Sequence, residues 1–437
     1  MTGALRRFAF GHLAAFPVLG RGGGPLWHAF LADAPVRAVR GPHDADLLVL
    51  AGAIPAGWTQ HIRALFETLA LPRAALWLRP AAGDGTEHVA APEGVPLAAA
   101  PAPGERLDRA AWADLRRRLL DREAPANRAL LPDAPPAPWR GRGEHGQGGE
   151  GMMGGTPYGR PMAMTGADPF DDLMLGALPT ALGPHFPGLP SGLRLDLVLQ
   201  GDRIVQVTGV TNTFPETPLA GAAAGTTLAP AARALAGEPV TVAALERARL
   251  VSHLAWMADV LPLLGLAALG AAARRLLAGP PDEAGLARLI RRAERAGVRR
   301  LTRGLGSVDR NAVERHGLRG PIARAAGIAD DARVGAPGYA GIGFEPVLEA
   351  TGDAWARWRV RARESLDTVR LIAAGGDRRT TAPEGPRGRL VRAADTPPAP
   401  SRPALDLLPN LLTGREWAEA VTIVASLDLD PAEAALT

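Results

Sequence analysis

The chain has 437 residues, a formal net charge of +4, 22% charged and 47% hydrophobic residues, and no cysteine. This length suffices for two or three domains with cores of their own, which excludes a short module held together by disulfides or zinc. Without a thiolate the chain cannot form a disulfide, use a cysteine nucleophile or hold an iron–sulfur cluster through four cysteines. All 49 basic side chains are arginine, and aromatic residues make up only 5%, so the composition argues against nucleic-acid binding.

The first part of the chain, residues 1–125, alternates strand-like and helix-like segments. Short apolar runs typical of buried parallel strands are followed by segments with helical periodicity. The predicted strands are Val36–Val39, 46–52 and Ala74–Leu78, and the predicted helices are Trp58–Leu69 and Arg109–Arg122. This alternation predicts a small, doubly wound α/β domain.

Residues 126–175 are rich in proline and glycine and predict a linker or extended loop. Glu144, His145 and Glu150 within it are acceptable metal ligands by residue type. We interpret a single histidine in a glycine-dense loop as solvated, so we predict no metal site here.

Residues 176–437 form the predicted large domain. The alternation over Leu193–Val210, with a turn at Gly201-Asp202, predicts a β-hairpin. Helical spacing follows over Ala244–Ala258, Leu263–Leu277, Ala284–Ala296 and Trp355–Ile372, which predicts a helical bundle. The apolar stretch 254–273 contains Asp259 and Pro262, so we interpret it as a buried bundle helix and not as a membrane span.

Four stretches of the large domain carry a family resemblance. They are Gly183-Pro184-His185-Phe186-Pro187, the helix segment 244–256, the segment 302–327, and the segment 352–388 together with Asp430-Pro431 near the carboxyl end. In order and spacing they resemble the large subunit of group 4 membrane-bound nickel–iron hydrogenases and its relative, the 49 kDa (D-type) subunit of respiratory complex I. The resemblance implies a hydrogenase large-subunit-like helical bundle that begins with a β-hairpin.

Residues 1–125 resemble the partner small subunit of the same complexes, which is the B-type subunit in complex I. The segment 42–54 is similar to a strand of that family, and Gly22, Gly23 and Gly24 lie where its cluster-binding loop is expected. The resemblance implies a flavodoxin-like α/β core. The fold class that we predict is therefore α/β plus α+β, in a chain that joins two subunits which normally pack together.

The metal ligands that the resemblance implies are missing. The hydrogenase large subunit holds nickel and iron through two Cys-x-x-Cys pairs, the second of them after Asp-Pro. Here Asp430-Pro431 is followed by Ala432 and Ala435 at that spacing, and Gly22–Gly24 offers no iron ligand. Nickel–iron chemistry needs soft thiolates, so we expect no metal and no resident cofactor.

The resemblance also implies quinone and NAD binding. In complex I a histidine and a tyrosine contact the quinone head group, but Phe186 and Pro190 occupy the places of the family's two histidines, and His185 lies one position away. Tyr158 and Tyr339, the only tyrosines, fall in no matching motif. We therefore take His185, Arg303 and Arg324 as candidate residues of a quinone cavity. Candidate carboxylate partners for the two arginines are Asp309, Glu345 and Glu384, and we expect His253 to face the bundle interior.

Three functions remain open. The first is a structural or coupling subunit in the peripheral arm of a membrane assembly related to complex I and energy-converting hydrogenases. Its partners would include other such subunits and antiporter-like membrane proteins, at the cytoplasmic, inner side of the plasma membrane. The alternative is an NADH-quinone oxidoreductase subunit with residual quinone binding. The third is a dinucleotide module around Gly20–Gly24 with an acid at Asp44 or Asp46, although Pro25 and a weak helix argue against that context.

Overall fold

The structure is a computed structural model that describes residues 13–34, 36–79, 93–99, 109–120, 165–167, 174–176, 178–219, 226–392 and 399–437. Most of the predicted linker 126–175 lies outside these residues, as do Glu144, His145, Glu150 and Tyr158. Two short strands of that region, β6 (Thr165–Ala167) and β7 (Met174–Gly176), pair antiparallel with each other.

The first part of the chain forms an α/β unit around a sheet of five parallel strands. In chain order its elements are β1 (Leu13–Leu19), α1 (Gly23–Asp33), β2 (Val36–Ala38), β3 (Leu47–Ala51), α2 (Thr59–Thr68), β4 (Ala74–Leu78), β5 (Leu97–Ala99) and α3 (Arg109–Leu120). The strand order is β2-β1-β3-β4-β5, and all four strand pairs are parallel. This is the doubly wound order of flavodoxin-like folds.

Strand β1 is not among the predicted strands, because Pro17 interrupts its apolar run. The carbonyl of Ala15 accepts a hydrogen bond from the Val39 N–H on the β2 side. Pro17 is two residues further along the strand, so its backbone nitrogen points to the same side. Pairing with β2 ends at Ala15, however, so Pro17 faces that side beyond the last β2 partner. The proline therefore removes no ladder hydrogen bond.

The second part, the helical unit, begins with a three-stranded antiparallel sheet in the order β10-β9-β8. Its strands are β8 (Leu178–Leu182), β9 (Leu193–Gln200) and β10 (Arg203–Asn212). The hairpin predicted around Gly201-Asp202 is confirmed, since β9 and β10 pair from Gln200 and Arg203 outward. The inward leucines Leu193, Leu195 and Leu197 are buried against the helices.

Two long helices dominate the bundle, α5 (Val242–Leu263) and α11 (Ala354–Gly375), and they pack on each other. The other elements are α4 (Ala229–Leu235), β11 (Val240–Thr241), α6 (Ala267–Ala278), α7 (Glu283–Arg295), α8 (Val298–Thr302), α9 (Arg310–His316), α10 (Gly320–Ala325), β12 (Arg379–Thr380), β13 (Glu384–Gly385), β14 (Gly388–Arg389), α12 (Ser401–Leu405), α13 (Leu408–Leu412), α14 (Trp417–Leu427) and α15 (Pro431–Ala434).

The apolar stretch 254–273 is divided between α5 and α6, with a turn between them, so it is two helices and not one. Its apolar side chains pack in one core cluster with α7 and α11. None of the described helices combines the length and apolar character that crossing a bilayer requires.

The two units share an apolar core, which we call the interunit core. Trp58, Ile62 and Phe66 of the α/β unit pack there against Phe214, Ala432 and Ala435 of the helical unit. The Trp58 ring lies 4.7 Å from that of Phe214, and its indole N–H donates to the Thr213 hydroxyl at 3.0 Å. The units are therefore joined by buried hydrophobic surface with a satisfied polar contact.

Candidate functional site

A cavity of about 760 Å³ lies between the α/β unit and the helical unit. The α/β unit contributes the loop Gly20–Gly24 and helix α1, while the helical unit contributes α5 and the carboxyl-terminal turn Asp428–Glu433. Trp27 and Trp256 provide aromatic surface on opposite units. The cavity therefore borders both the α/β unit and the helical unit.

The glycine loop lies at the carboxyl ends of β1 and β3, where the strand order changes direction. Open α/β sheets bind ligands at such a switch point. Gly22 has a φ of 70°, and a Cβ on Gly23 would meet the Ala51 carbonyl oxygen at 2.2 Å. The close approach of two backbones thus requires glycine, and strand, turn and helix follow one another here despite Pro25.

The acids proposed for a dinucleotide site lie at the opposite ends of the strands from the glycine loop. Asp44 and Asp46 precede β3, so they lie at its amino end, whereas the glycine loop is near its carboxyl end. The Asp46 carboxylate accepts a hydrogen bond from the Ala14 backbone N–H at 2.9 Å. Asp46 therefore ties β3 to β1, and neither acid can reach a ribose bound at the loop.

The opposite wall carries a compact group of ions around Arg387. Its guanidinium lies 3.2 Å from Asp428, 3.3 Å from Asp430 and 3.0 Å from Glu433. Burial raises the pKa of Glu433 to about 7, although the Arg387 charge opposes the shift. One oxygen of Glu433, Oε1, has no hydrogen-bond partner among the described residues. Glu433 is thus a buried carboxyl group that exchanges its proton near neutral pH.

The residues at the expected nickel–iron position do not fit that centre. Ala432 and Ala435 are buried, and their methyl groups pack in the interunit core beside Trp58 and Phe214. The chain has no thiolate to offer, and among the described residues no three His, Asp or Glu side chains are placed to hold a metal ion. The donors that nickel and iron require are absent from this wall.

From Arg387 a row of contacting charged side chains and one neutral histidine, which we call the ion chain, leads into the bundle. Asp428 also contacts Arg361 at 2.6 Å, and the Arg361 guanidinium lies 3.2 Å from Nδ1 of His253. A guanidinium only donates, so Nδ1 accepts and the ring proton lies on Nε2, which faces Glu364 at 3.5 Å. Burial and the charge of Arg361 hold the pKa of His253 well below its usual range.

Beyond Glu364 the chain reaches Arg324 at 2.6 Å, and Arg324 contacts Asp331 at 3.0 Å and Glu384 at 3.3 Å. Burial raises the pKa of Glu384 to about 7, and the negative charge of Asp331 adds to the shift. Arg333 pairs with Asp331 at 2.7 Å and with Glu246 at 3.0 Å. The Tyr339 hydroxyl donates to Glu246 at 2.6 Å and ends the chain.

The structure does not bring the three predicted cavity residues together. Arg324 is fully buried, about midway along the ion chain, and Glu384 is one of its partners. Arg303 directly follows α8, is exposed and does not line the cavity. Asp309 instead caps α9, where its carboxylate accepts from the Ala312 N–H at 2.7 Å, and Glu345 is exposed.

His185 lies beside the interunit core. Its ring is 4.5 Å from that of Trp58, and its Nδ1 is 3.1 Å from the hydroxyl of Ser191, which lines the cavity. Burial lowers the pKa of His185 to about 3, so the ring is neutral at physiological pH. His253 is fully buried in the bundle, as expected.

Arg387 and Glu433 are the site residues that the sequence analysis missed. Arg387 belongs to a quoted motif, but nothing in its spacing indicates that Asp428, Asp430 and Glu433, more than 40 residues later in the chain, surround it. A buried glutamate between two alanines resembles an ordinary helix residue in the sequence.

Comparison with known proteins agrees with the large-subunit resemblance. Residues 286–388 match the family model described as respiratory-chain NADH dehydrogenase, 49 Kd subunit. The chain is 36% identical over 106 residues to the carbon monoxide-induced hydrogenase of Rhodospirillum rubrum, covering 24% of this chain and 27% of that protein. It is 30% identical over 161 residues to the D-type subunit of NADH-quinone oxidoreductase of Syntrophobacter fumaroxidans, covering 29% of this chain and 43% of that protein.

Among solved structures, the chain is similar to a chain in the structure of the membrane-bound sulfane sulfur reductase, an archaeal respiratory membrane complex. The TM-score is 0.42 and the identity 18%, over 59% of this chain and 98% of that one.

The resemblance to the complex I 49 kDa subunit and to hydrogenases is thereby confirmed. The chain spans less than half the length of the two curated relatives that it matches. The resemblance of residues 1–125 to the small subunit, and the domain boundaries, stay predictions.

Proposed function

We propose that the chain is a peripheral-arm subunit of a membrane assembly related to complex I and to energy-converting hydrogenases, with a structural or coupling role. In this proposal it holds neither a nickel–iron centre nor an iron–sulfur cluster. Its partners are other subunits of that assembly, including antiporter-like membrane proteins, and it lies on the cytoplasmic side of the plasma membrane.

The observation that supports this proposal is the make-up of the cavity wall. Alanine methyls occupy the positions where the resemblance places sulfur ligands, while Arg387 and Arg361 nearby are both paired with Asp428. Buried charges of this kind are costly to maintain without partners of opposite sign. The pairing of these charges supports a scaffold that keeps its electrostatic framework without metal chemistry.

Affinity purification from membranes through a tag on this chain tests the proposal. We expect other respiratory-complex subunits to co-purify, and we expect the chain, once separated from them, to contain far less than one nickel or iron atom per molecule. Stoichiometric nickel or iron on the separated chain would contradict the proposal, as would the absence of any respiratory subunit from the purified material. Untagged cells provide the control for adventitious capture.

A second candidate function, quinone binding, is supported by the size and character of the cavity. Its volume falls within the range of roughly 300–1,000 Å³ that is usual for ligand pockets, and its wall is mostly apolar. In this proposal Nδ1 of the neutral His185 donates to the hydroxyl of Ser191, and that hydroxyl, which lines the cavity, donates a hydrogen bond to a quinone carbonyl. The quinone is a substrate and not a resident cofactor.

Titration with a short-chain ubiquinone analogue tests this candidate, because bound quinone should quench Trp27 and Trp256. We expect saturable quenching that His185→Ala weakens about tenfold and that His43→Ala, at an exposed turn, leaves unchanged. Quenching that increases linearly, without saturation, would exclude a bound quinone.

A further inference from the structure

A cross-unit ion pair lies on the cavity wall, away from the ions around Arg387. His28 of α1 places Nε2 3.3 Å from the carboxylate of Asp259 of α5, and both residues line the cavity. The imidazole is 4% exposed, whereas the Asp259 side chain is 59% exposed. The α/β unit thus contributes a buried histidine that is oriented by a carboxylate of the helical unit.

Two polar atoms on this wall have no hydrogen-bond partner among the described residues. They are Nδ1 of His28 and the hydroxyl oxygen of Ser252, both in residues that are at least nine-tenths buried and that line the cavity. Ser252 and Asp259 are seven residues apart on α5 and therefore share a helix face. Buried polar atoms are nearly always paired, so these two indicate a group that fills the cavity.

The chemistry of the pair defines what that group must offer. A carboxylate only accepts hydrogen bonds, so in the neutral ring the proton lies on Nε2 toward Asp259, and Nδ1 presents a lone pair. A ligand for Nδ1 must therefore carry a donor. The aromatic surfaces of Trp27 and Trp256 favour a flat, apolar body for the rest of the molecule.

We propose that the cavity binds a flat, mostly apolar molecule with a hydroxyl group, and that His28, held by Asp259, accepts the hydrogen bond from that hydroxyl. The inference rests on the cavity being a ligand site, as the second candidate function requires. It assigns the polar contact to a different histidine and to a donor ligand, which an oxidised quinone is not.

Isothermal titration of the full chain with para-propylphenol and with its methyl ether, para-propylanisole, tests the inference. The two probes share ring and tail and differ in the hydroxyl donor. We expect the phenol to bind about tenfold more tightly than the ether, and His28→Ala to abolish this preference. His43→Ala, an exposed histidine on the same unit, should keep it.

Asp259→Asn provides a second variant that preserves the shape of the pair. The asparagine amide can donate to Nε2, which moves the ring proton to Nδ1 and converts the acceptor into a donor. We expect this variant to lose the phenol preference while it still binds the ether like the unaltered chain. Retention of the preference in both variants would overturn the inference.

Equal affinity of the unaltered chain for phenol and ether would also overturn it, since water alone would then satisfy Nδ1. In that case saturable quenching by the quinone analogue would leave the second candidate function intact. A phenol preference without saturable quenching by the quinone analogue would support this inference and contradict the second candidate function.

Discussion

Two arginines of the same sequence region illustrate how burial decides the role of a charge. Arg324 is fully buried and contacts three carboxylates, and burial alone would lower its pKa, but the charges of Glu364 and Asp331 raise it above its usual value. Arg303 lies exposed after a short helix. Nothing in the local sequence separates the two, because each lies in or directly after a short helix.

At this scale we predict that Arg324→Met lowers the free energy of unfolding by about 3–5 kcal/mol, because Glu364, Asp331 and Glu384 lose their shared counter-charge while they stay buried. Arg303→Met is the matched control and should change stability by no more than about 0.5 kcal/mol. Urea denaturation of both variants checks the prediction. Similar decreases in the free energy of unfolding of the two variants would show that the charge of Arg324 does not stabilise the fold through its three carboxylate partners.

A second residue-scale prediction concerns pH. Because the folded-state pKa of Glu433 is raised from 4.5 to about 7, the folded chain binds the proton more tightly than the unfolded chain. This contribution to stability is fully present below about pH 4.5 and is lost as the pH rises through about 7. Glu433→Gln removes this pH dependence, because glutamine does not titrate.

Urea denaturation of both proteins between about pH 5 and 8 measures the effect. The stability of the Gln variant relative to the unaltered chain should increase with pH over this range. Glu384 titrates in both proteins, so its contribution cancels in the difference. A difference in stability that does not vary with pH would contradict the raised pKa of Glu433.

At the scale of elements, the β1–α1 turn explains why three consecutive glycines are not equivalent. A Cβ on Gly23 would meet the Ala51 carbonyl oxygen at 2.2 Å, whereas a Cβ on Gly24 would meet nothing within 4 Å. The packing of α1 against the end of β3 therefore depends on one glycine of the run. The sequence run indicated a turn, but it did not indicate which glycine carries the contact.

We predict that Gly23→Ala destabilises the chain by about 2–3 kcal/mol, because backbone atoms on both sides of the contact would have to move. Gly24→Ala, in the same helical turn, should be neutral or stabilising by up to about 1 kcal/mol, since alanine favours the helix. Thermal unfolding of the two variants checks this. An equal decrease in the melting temperature of both variants would show that the close contact between Gly23 and Ala51 does not determine stability.

At the scale of the whole molecule, the interunit core joins the α/β unit to the helical unit. Trp58 is its central side chain, with rings of His185 and Phe214 at 4.5 and 4.7 Å. Each unit also has apolar clusters of its own. The cavity exists because the two units meet here, so the stability of this contact controls the candidate site.

We predict that Trp58→Ala separates thermal unfolding into two transitions, because it removes a large side chain at the contact between the two units and costs about 3–5 kcal/mol. Trp417→Ala is the control. Its ring packs on Phe186 at 5.5 Å within the helical unit, so its loss should lower the melting temperature without a second transition. Differential scanning calorimetry distinguishes the outcomes, and a single transition for Trp58→Ala would refute the prediction.

Much of the fold follows from local pattern. Apolar runs identified strands β2, β3 and β4, and periodicity identified α2, α3, α5, α6, α7 and α11, because a buried strand or an amphipathic helix leaves a period in its own residues. Strand β1 was missed because the tolerance of Pro17 depends on where β2 ends. β8 was missed because its mostly exposed face shows no clear alternation.

The absence of cysteine, and with it of thiolate chemistry, was readable from the chain alone, since composition depends on no fold. The cavity, the ions around Arg387 and the pairing of His28 with Asp259 were not readable. They join residues that lie between about 40 and 230 positions apart, and no local period records such contacts. Whether a buried arginine, histidine or glutamate serves packing or chemistry depends on what the other unit places opposite it.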